Sequence, residues 1–345
     1  MAIVNGTTGN DPLFGGGLND VISGGNGNDL LIANGGNDYL FGGWHDDTLY
    51  GGSGIDVLFG DAFSSIGNDT IYAGGGNDTA FGDGGRDLIL GEGGTDTLWG
   101  DAGNDRLNGG DGNDTSYGGD GNDILFENDA LGVNWLEGGN GNDTVLGGGN
   151  GDVIIGGAGN DSIDGGGGSD DVTGGAGDDI VYGGASQDLV GDVAGSNTLY
   201  GLDGEDFMNA DGDGGNDTYY GGAGNDYMIA RYDPDDLYGG AGADKFLFWS
   251  QTTAGGVGNR IVLWDFSGAG GERLDLSELD ANVGVDGNQA FVWRGTSAFT
   301  GAGQARYFVE GSHVVLQANI DSDLAPELAA QVEGVTAIQA GWVIL

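Results

Sequence analysis

Large apolar residues recur every nine positions along the first 247 residues, and each sits at the centre of a three-residue run followed by small and polar residues. Leu13, Ile22, Leu31, Leu40, Leu49 and Leu58 open the series. Ile71, Ile89, Leu98 and Leu107 continue it, Leu237 and Phe246 close it, and Ala80 and Ser116 are its weakest members. A run of three with its middle residue turned to one side and its neighbours to the other is a very short strand. The stretch between runs is glycine-rich, as in Gly-Gly-Asn-Gly-Asn-Asp-Leu-Leu-Ile at 24–32. Its glycines permit a tight turn with positive φ angles. The unit reads G-G-x-G-x-D-x-U-x, with U apolar. One unit cannot bury its apolar residue alone, but a stack can. The expected fold is all-β: a right-handed parallel β-roll in which two units make one coil. Like positions then recur every 18 residues, placing Leu31 near Leu13 and Leu49, and Leu40 near Ile22 and Leu58. About 26 units give about 13 coils.

The sixth position of the unit is aspartate with few exceptions. The row runs Asp11, Asp20, Asp29, Asp38, Asp47 and Asp56. After a short insertion at 62–65 it resumes with Asp69, Asp78, Asp87, Asp96, Asp105, Asp114 and Asp123. It continues with Asp143, Asp152, Asp161, Asp170, Asp179 and Asp188, then Asp206, Asp217, Asp226 and Asp244. Asn134, in the degenerate unit from Asp129 to Glu137, and Asn197 take the same slot without its charge, and Asp235 follows Pro234; these three are expected to make weaker or vacant sites. Carboxylates repeated at fixed spacing among turn carbonyls are the ligands a hard cation uses, and calcium accepts their flexible geometry.

Composition strengthens this reading. The 345 residues hold 81 Gly, 55 acidic and only 8 basic residues, for a formal charge of −47. A compact metal-free chain with that charge repels itself, and its glycines raise the entropy cost of ordering. The metal-free state is therefore expected to be expanded. Roughly two dozen divalent ions would bring about +48, on the scale of the protein's own charge. With Lys245 the only lysine, there is no basic patch for nucleic acid. Cysteine is absent, which excludes disulfides, thiolate catalysis and Cys-based zinc sites. No apolar run is long enough to span a bilayer, and the start, Met-Ala-Ile-Val-Asn-Gly, lacks the pattern of a secretory signal.

The ninth position is often aromatic. Phe41, Phe59, Phe81, Trp99 and Tyr117 fall in line on one face, and Tyr182, Tyr200, Tyr220 and Tyr238 on the other. Such rings shield strand backbone by packing on one another, or form a flat surface for self-association or glycan. From Phe248 onward the nine-residue pattern stops. Ile261 to Phe266, Arg306 to Phe308 and His313 to Leu316 read as strands, and Asp275 to Leu279 as a turn or the start of a short helix. Asp321-Ser322-Asp323 with Glu327 forms a loose acidic loop that departs from EF-hand spacing and is read as a solvated turn.

The tandem nonapeptides resemble the RTX repeat of type I secreted bacterial proteins. The tail resembles the C-terminal domain of serralysin-type metalloproteases, on Gly239-Gly240-Ala241-Gly242-Ala243-Asp244, Asp265-Phe266, Leu274-Asp275-Leu276-Ser277, Phe299-Thr300-Gly301-Ala302-Gly303-Gln304-Ala305 and the closing Ile338 to Leu345. It departs in lacking an acidic residue just before the final apolar run. The resemblance implies a calcium-binding roll over residues 1–247 and a capping and secretion domain over 248–345. It implies calcium held between units two apart, so that Asp29 joins Asp11 on one side and Asp47 on the other and bridges two ions. It further implies export by a type I machine and folding in extracellular calcium.

The protease chemistry of those relatives does not carry over. It needs an H-E-x-x-H helix, and this chain has only His45, in place of a repeat glycine, and His313, on a tail strand. No G-x-S-x-G elbow or phosphate-cradling loop is present. A polysaccharide lyase or epimerase would need a base with a cation beside it, yet Arg86, Arg106 and Arg231 do not fall on one face by register. The pairs Asp170-Asp171 and Asp178-Asp179 each have one member in the repeat's aspartate slot. The chain is expected not to be an enzyme. It is read as a secreted calcium-binding protein with a structural or self-assembling role, as a homo-oligomer or cell-surface coat; a soluble adhesin or glycan-binding module is the alternative.

Overall fold

A strand of three residues has too little backbone to hold itself, so it persists only where every N–H and C=O finds a partner in the coil before or after it. The computed structural model satisfies this with parallel pairing. It describes residues 1–62, 66–127, 132–210, 215–231, 234–249, 260–268, 270–279, 289–321 and 326–345. They form an all-β parallel solenoid of about 13 turns, and a single 3-10 turn at Ala340–Trp342 is the one helical segment among the described residues. Two compact units divide the chain, Met1–Gly175 and Ala176–Leu345.

In the first unit, two parallel ladders alternate along the chain. One contains Ile3–Asn5, Val21–Asn26, Tyr39–Trp44, Val57–Asp61, Thr79–Phe81, Thr97–Gly103, Thr115–Asp120, Trp135–Asn140 and Val153–Ala158. The other contains Pro12–Phe14, Leu30–Ile32, Thr48–Ser53, Thr70–Gly76, Leu88–Gly94, Arg106–Asn108, Ile124–Phe126, Thr144–Leu146 and Ser162–Gly167. The register pairs Leu31 with Leu13 and Leu49, and Leu40 with Ile22 and Leu58, as the nine-residue period requires. Ala80 and Ser116 occupy the same inward row, with Leu98 between them, and all are buried. The inward side chains form two thin rows, because each coil contributes one large apolar residue per strand.

Glycine is required where the coils approach. At Gly94, φ is +146° and a Cβ would collide with the Gly76 carbonyl of the preceding coil. The 62–65 insertion lengthens one coil, so Leu49 pairs with Ile71 rather than with a residue 18 further on; residues 63–65 themselves lie outside the described residues.

The second unit has two parallel ladders of its own, one through Ile180–Ala185, Thr198–Asp203, Thr218–Ala223 and Asp236–Ala241, the other through Leu189–Asp192, Phe207–Ala210, Tyr227–Ala230 and Lys245–Phe248. Ile261–Leu263 extends the first of these and Arg273–Asp275 the second. Val343–Ile344 then pairs with Arg273–Asp275. Leu328–Val332 pairs in parallel with Ile261–Leu263 and antiparallel with His313–Asn319, which pairs antiparallel with Gln304–Glu310. Phe266 meets Phe246 and Trp342 edge to face at 6.0 and 5.7 Å and closes this end of the core. The strands expected at 261–266, 306–308 and 313–316 are present, the first ending at Leu263; that at Leu328–Val332 was not anticipated.

Candidate metal centre

Each turn delivers its aspartate into the space between coils. All of the predicted aspartates except Asp11, which is half-buried, are shielded from solvent. Their Oδ1 atoms form a continuous ladder within each unit: the backbone N–H of one aspartate donates to Oδ1 of the aspartate in the next coil. Asp11 donates to Asp29, Asp29 to Asp47, Asp47 to Asp69 and Asp69 to Asp87, at 2.7–2.8 Å. In the second unit Asp188 donates to Asp206, and Asp206 to Asp226, at 2.9 and 3.0 Å. The pairing at two-unit spacing agrees with the sequence. Oδ1 of Asp29, Asp47, Asp69 and Asp87 thus accepts an N–H across the coil interface.

The second oxygen has no such engagement. Oδ2 of Asp29, Asp38, Asp47, Asp56, Asp69, Asp78, Asp87, Asp96, Asp105, Asp123, Asp143, Asp206, Asp226 and Asp244 is buried without a hydrogen-bond partner. In most of these turns it points at the turn's first glycine, beside a carbonyl of the next coil. A Cβ at Gly100 would lie 2.7 Å from Asp105 Oδ2 and 2.5 Å from the Gly118 carbonyl oxygen. A buried carboxylate oxygen beside a carbonyl oxygen is electrostatically unfavourable by itself. It fits a cation ligated by carboxylates and backbone carbonyls. Among the described residues, no three acidic or imidazole side chains converge on one point, so a donor set here draws on backbone oxygens as well.

Burial disfavours the charged form of these groups. It pushes the Asp69 and Asp87 carboxyls up to about 8, against the N–H bond that favours ionisation and with added repulsion from neighbouring aspartates. Asp47, Asp96, Asp105, Asp143 and Asp226 rise to about 7 for the same leading reason. Asp56, Asp123 and Asp206 rise to about 6.

The substituted turns keep the geometry. Asn134 Oδ1 accepts the Asp114 N–H at 2.9 Å, while its Nδ2 is buried without a partner. Asn197 accepts from Asp179 at 2.8 Å. Asp235 is buried and accepts from Asp217 at 3.1 Å, so Pro234 does not displace it from the row. Asp129 lies outside the described residues, as do Ser322 and Asp323 of the acidic loop. Glu327 Oε2 accepts the Ile320 N–H at 2.7 Å.

Two further sets of residues went unseen in the sequence. Asparagines just before the aspartates form a second ladder of opposite sense: Asn10, Asn104 and Asn122 Oδ1 accept from the N–H of Asn28, Asn122 and Asn142 at 2.8–3.0 Å. Their frequency at the fifth position was the available signal. Carboxylates also clip glycine pairs where a coil is irregular. Glu127 accepts from Gly109 and Gly110 at 3.3 and 3.1 Å, and Asp265 from Gly239 and Gly240 at 2.9 Å each.

The aromatic rows stack as the register predicts. Phe41, Phe59, Phe81, Trp99 and Tyr117 lie 4.6–5.6 Å apart. Tyr182, Tyr200, Tyr220 and Tyr238 lie 4.7–4.8 Å apart, with Trp264 adding a fifth ring. Interior rings have both faces covered. His45 takes a turn conformation with φ +81°, and His313 lies on its strand beside Glu310 and Glu333. Arg106 lies over Phe126 and Arg231 over Trp249. Asp170 is buried whereas Asp171 is exposed.

The family model described as RTX calcium-binding nonapeptide repeat (4 copies) matches residues 5–40, 23–58, 63–89, 90–125, 130–163, 164–190, 193–213 and 211–246, well over half of the chain. No curated protein matches the sequence. The two-unit register, the glycine turns and the buried aspartate row carry that match through the structure, and the chain belongs to the RTX calcium-binding nonapeptide repeat family.

Proposed function

We propose that this is a secreted protein that folds on extracellular calcium and then serves a structural or interaction role, as a matrix, surface layer or self-assembling coat. The observation that carries the reading is the row of buried Oδ2 atoms without hydrogen-bond partners. On this reading the aspartates from Asp11 to Asp244 named above are the calcium ligands, with turn carbonyls completing each set. Bound calcium supplies the positive charge that the buried carboxylates lack. The chain's own part is to position them: the Oδ1 bond to the preceding coil fixes each carboxylate, and the glycine pair leaves the space beside it open.

Residues 1–247 are the calcium-binding roll and 248–345 the capping and secretion segment in this proposal, with a type I machine as export partner. The reading assigns no catalytic step. The covered ring faces favour the packing role of the aromatic rows over glycan stacking.

Sedimentation velocity with chelator and then with millimolar calcium, at several protein concentrations, tests the proposal. A slow, expanded species should become compact with calcium and grow into larger particles with concentration. A compact monomer at every concentration would favour a soluble binding module, and indifference to calcium would remove the reading altogether.

A further inference from the structure

Three successive coils depart from the repeat at one place. The second position of the turn is glycine at Gly25, Gly43, Gly119, Gly139 and Gly157, all with positive φ. Between them, in the turns of Asp69, Asp87 and Asp105, it is Asp61, Asp83 and Asp101. Asp83 and Asp101 keep the left-handed backbone, at φ +69° and +68°. Asp61 is buried, and its carboxylate accepts the Gly67 N–H at 2.9 Å. The Asp61 N–H in turn donates to the Asp83 carboxylate.

The regular aspartates of these turns point at the same place. Oδ2 of Asp69, Asp87 and Asp105 is buried and without a hydrogen-bond partner. Each is aimed at Gly60, Gly82 or Gly100, the residue just before Asp61, Asp83 or Asp101. The added carboxylates are felt electrostatically: Asp61 repels charge on Asp69 and Asp87, Asp83 on Asp87, and Asp101 on Asp105. Arg86, in the middle turn, is exposed and forms no ion pair with them. On the opposite edge Glu92 holds the same repeat position at φ +71° and is exposed, as Asp101 is, yet it does not perturb Asp96 as Asp101 perturbs Asp105.

We infer that Asp61, Asp83 and Asp101 make these three turns a distinct subsite of doubled carboxylate charge, which takes divalent cations more tightly than the other turns and fills first. The affinity of an oxygen-ligand site rises with the charge of its donors. These turns have the same carbonyls and buried Oδ2 as their neighbours, plus one further anion each. Because a coil is ordered chiefly by its immediate neighbours, ions bound here would make this stretch the first part of the roll to form.

The inference rests on the calcium reading. The test is a calcium titration of the full chain, started calcium-free and read by competition with a chromophoric chelator. Wild type should show an early class of about three ions, about tenfold tighter than the remainder. That class should vanish in both D61N/D83N/D101N and D61G/D83G/D101G, and survive in Glu92→Gly. The glycine set restores the repeat's own residue and the asparagine set preserves shape, so a shared loss reports charge rather than misfolding. Persistence of the tight class in either triple variant overturns the inference and leaves calcium binding intact. Wild type that binds no calcium overturns the underlying function as well.

Discussion

Replacing Asp105 by asparagine removes one charge while keeping the hydrogen bond that holds the coil beneath it. Asp105 Oδ1 accepts the Asp87 N–H at 2.7 Å, and the asparagine oxygen can do the same, as Asn134 does for Asp114. What changes is Oδ2, buried and without a hydrogen-bond partner in the wild type, which becomes an amide NH2. A site held at ten to a hundred times its dissociation constant adds about 1.4 to 2.7 kcal/mol to stability, and that contribution should fall away in Asp105→Asn. Asp105→Ala loses it too and also strands a buried N–H, for a further 1 to 3 kcal/mol or so. Denaturant unfolding in millimolar calcium should therefore rank wild type above the asparagine variant and that above the alanine variant. The calcium needed for folding, followed by circular dichroism, should rise in both. An asparagine variant with wild-type calcium dependence, beside an impaired alanine variant, would show that Asp105 serves only as a backbone acceptor and would refute the ligand assignment.

The remaining predictions concern pH, backbone, core and rings. Because Asp69 and Asp87 titrate near 8 in the folded metal-free chain, against an ordinary value of 3.8, that state binds more protons than the unfolded chain between those limits. In chelator, its stability should be greatest at acid pH and decline as pH rises toward 8, and sedimentation should show the chain more compact at pH 5 than at pH 8. With calcium the sign reverses, since protons compete for the same oxygens, and the calcium midpoint should climb as pH drops below 7. Gly94→Ala, at φ +146° and against the Gly76 carbonyl, should destabilise by about 2 kcal/mol or more in a denaturant melt. Ser116→Ala should stabilise by about 1 kcal/mol in the same assay, because the Ser116 hydroxyl is buried among apolar residues without a partner. Tyr220→Ala, which removes stacking at 4.8 and 4.7 Å, should cost about 1 to 3 kcal/mol.

The parts of this fold legible in the sequence are those locked to its period. A nine-residue repeat of one apolar position and one aspartate specifies which residues share a row, and the pairing of Leu31 with Leu13 and Leu49 follows directly. The same arithmetic lined up Phe59, Phe81 and Trp99 before their distances were known. Features that depend on atoms rather than positions were hidden. Asparagine is frequent at the fifth position, but frequency alone does not reveal the forward reach of Asn104 to the Asn122 N–H. Nor does a repeat reveal that aspartate Oδ1 engages a backbone N–H while Oδ2 does not. Pro234 was a local signal against Asp235, but Asp235 is held in register by Asp217. Beyond Phe248 there is no period, and Leu328–Val332 shows why alternation alone falls short. Its residues are buried on both faces except at Gln331, which removes the polar alternation that marks a strand.

The two side-chain ladders also explain why a chain so poor in core can still fold as a unit once its charge is offset. Each aspartate carboxylate reaches back to the N–H of the preceding coil, as Asp123 does to Asp105 at 2.8 Å. The neighbouring asparagine reaches forward, as Asn122 does to Asn142. A coil is thus bonded on both sides through side chains as well as through strand pairing, which makes each interface the unit of stability. The same carboxylates that tie coils together also repel one another across the interface, and burial magnifies that repulsion, as Asp69, Asp87 and Asp105 show. Attraction and repulsion therefore come from one functional group, and on the proposed reading a bound cation would decide between them. Beside an irregular coil a further carboxylate adds a clip to the regular bonds: Glu127 on Gly109 and Gly110. That clip needs no metal to form its hydrogen bonds, so the coil it holds should retain local order in chelator when the regular aspartate turns have lost theirs.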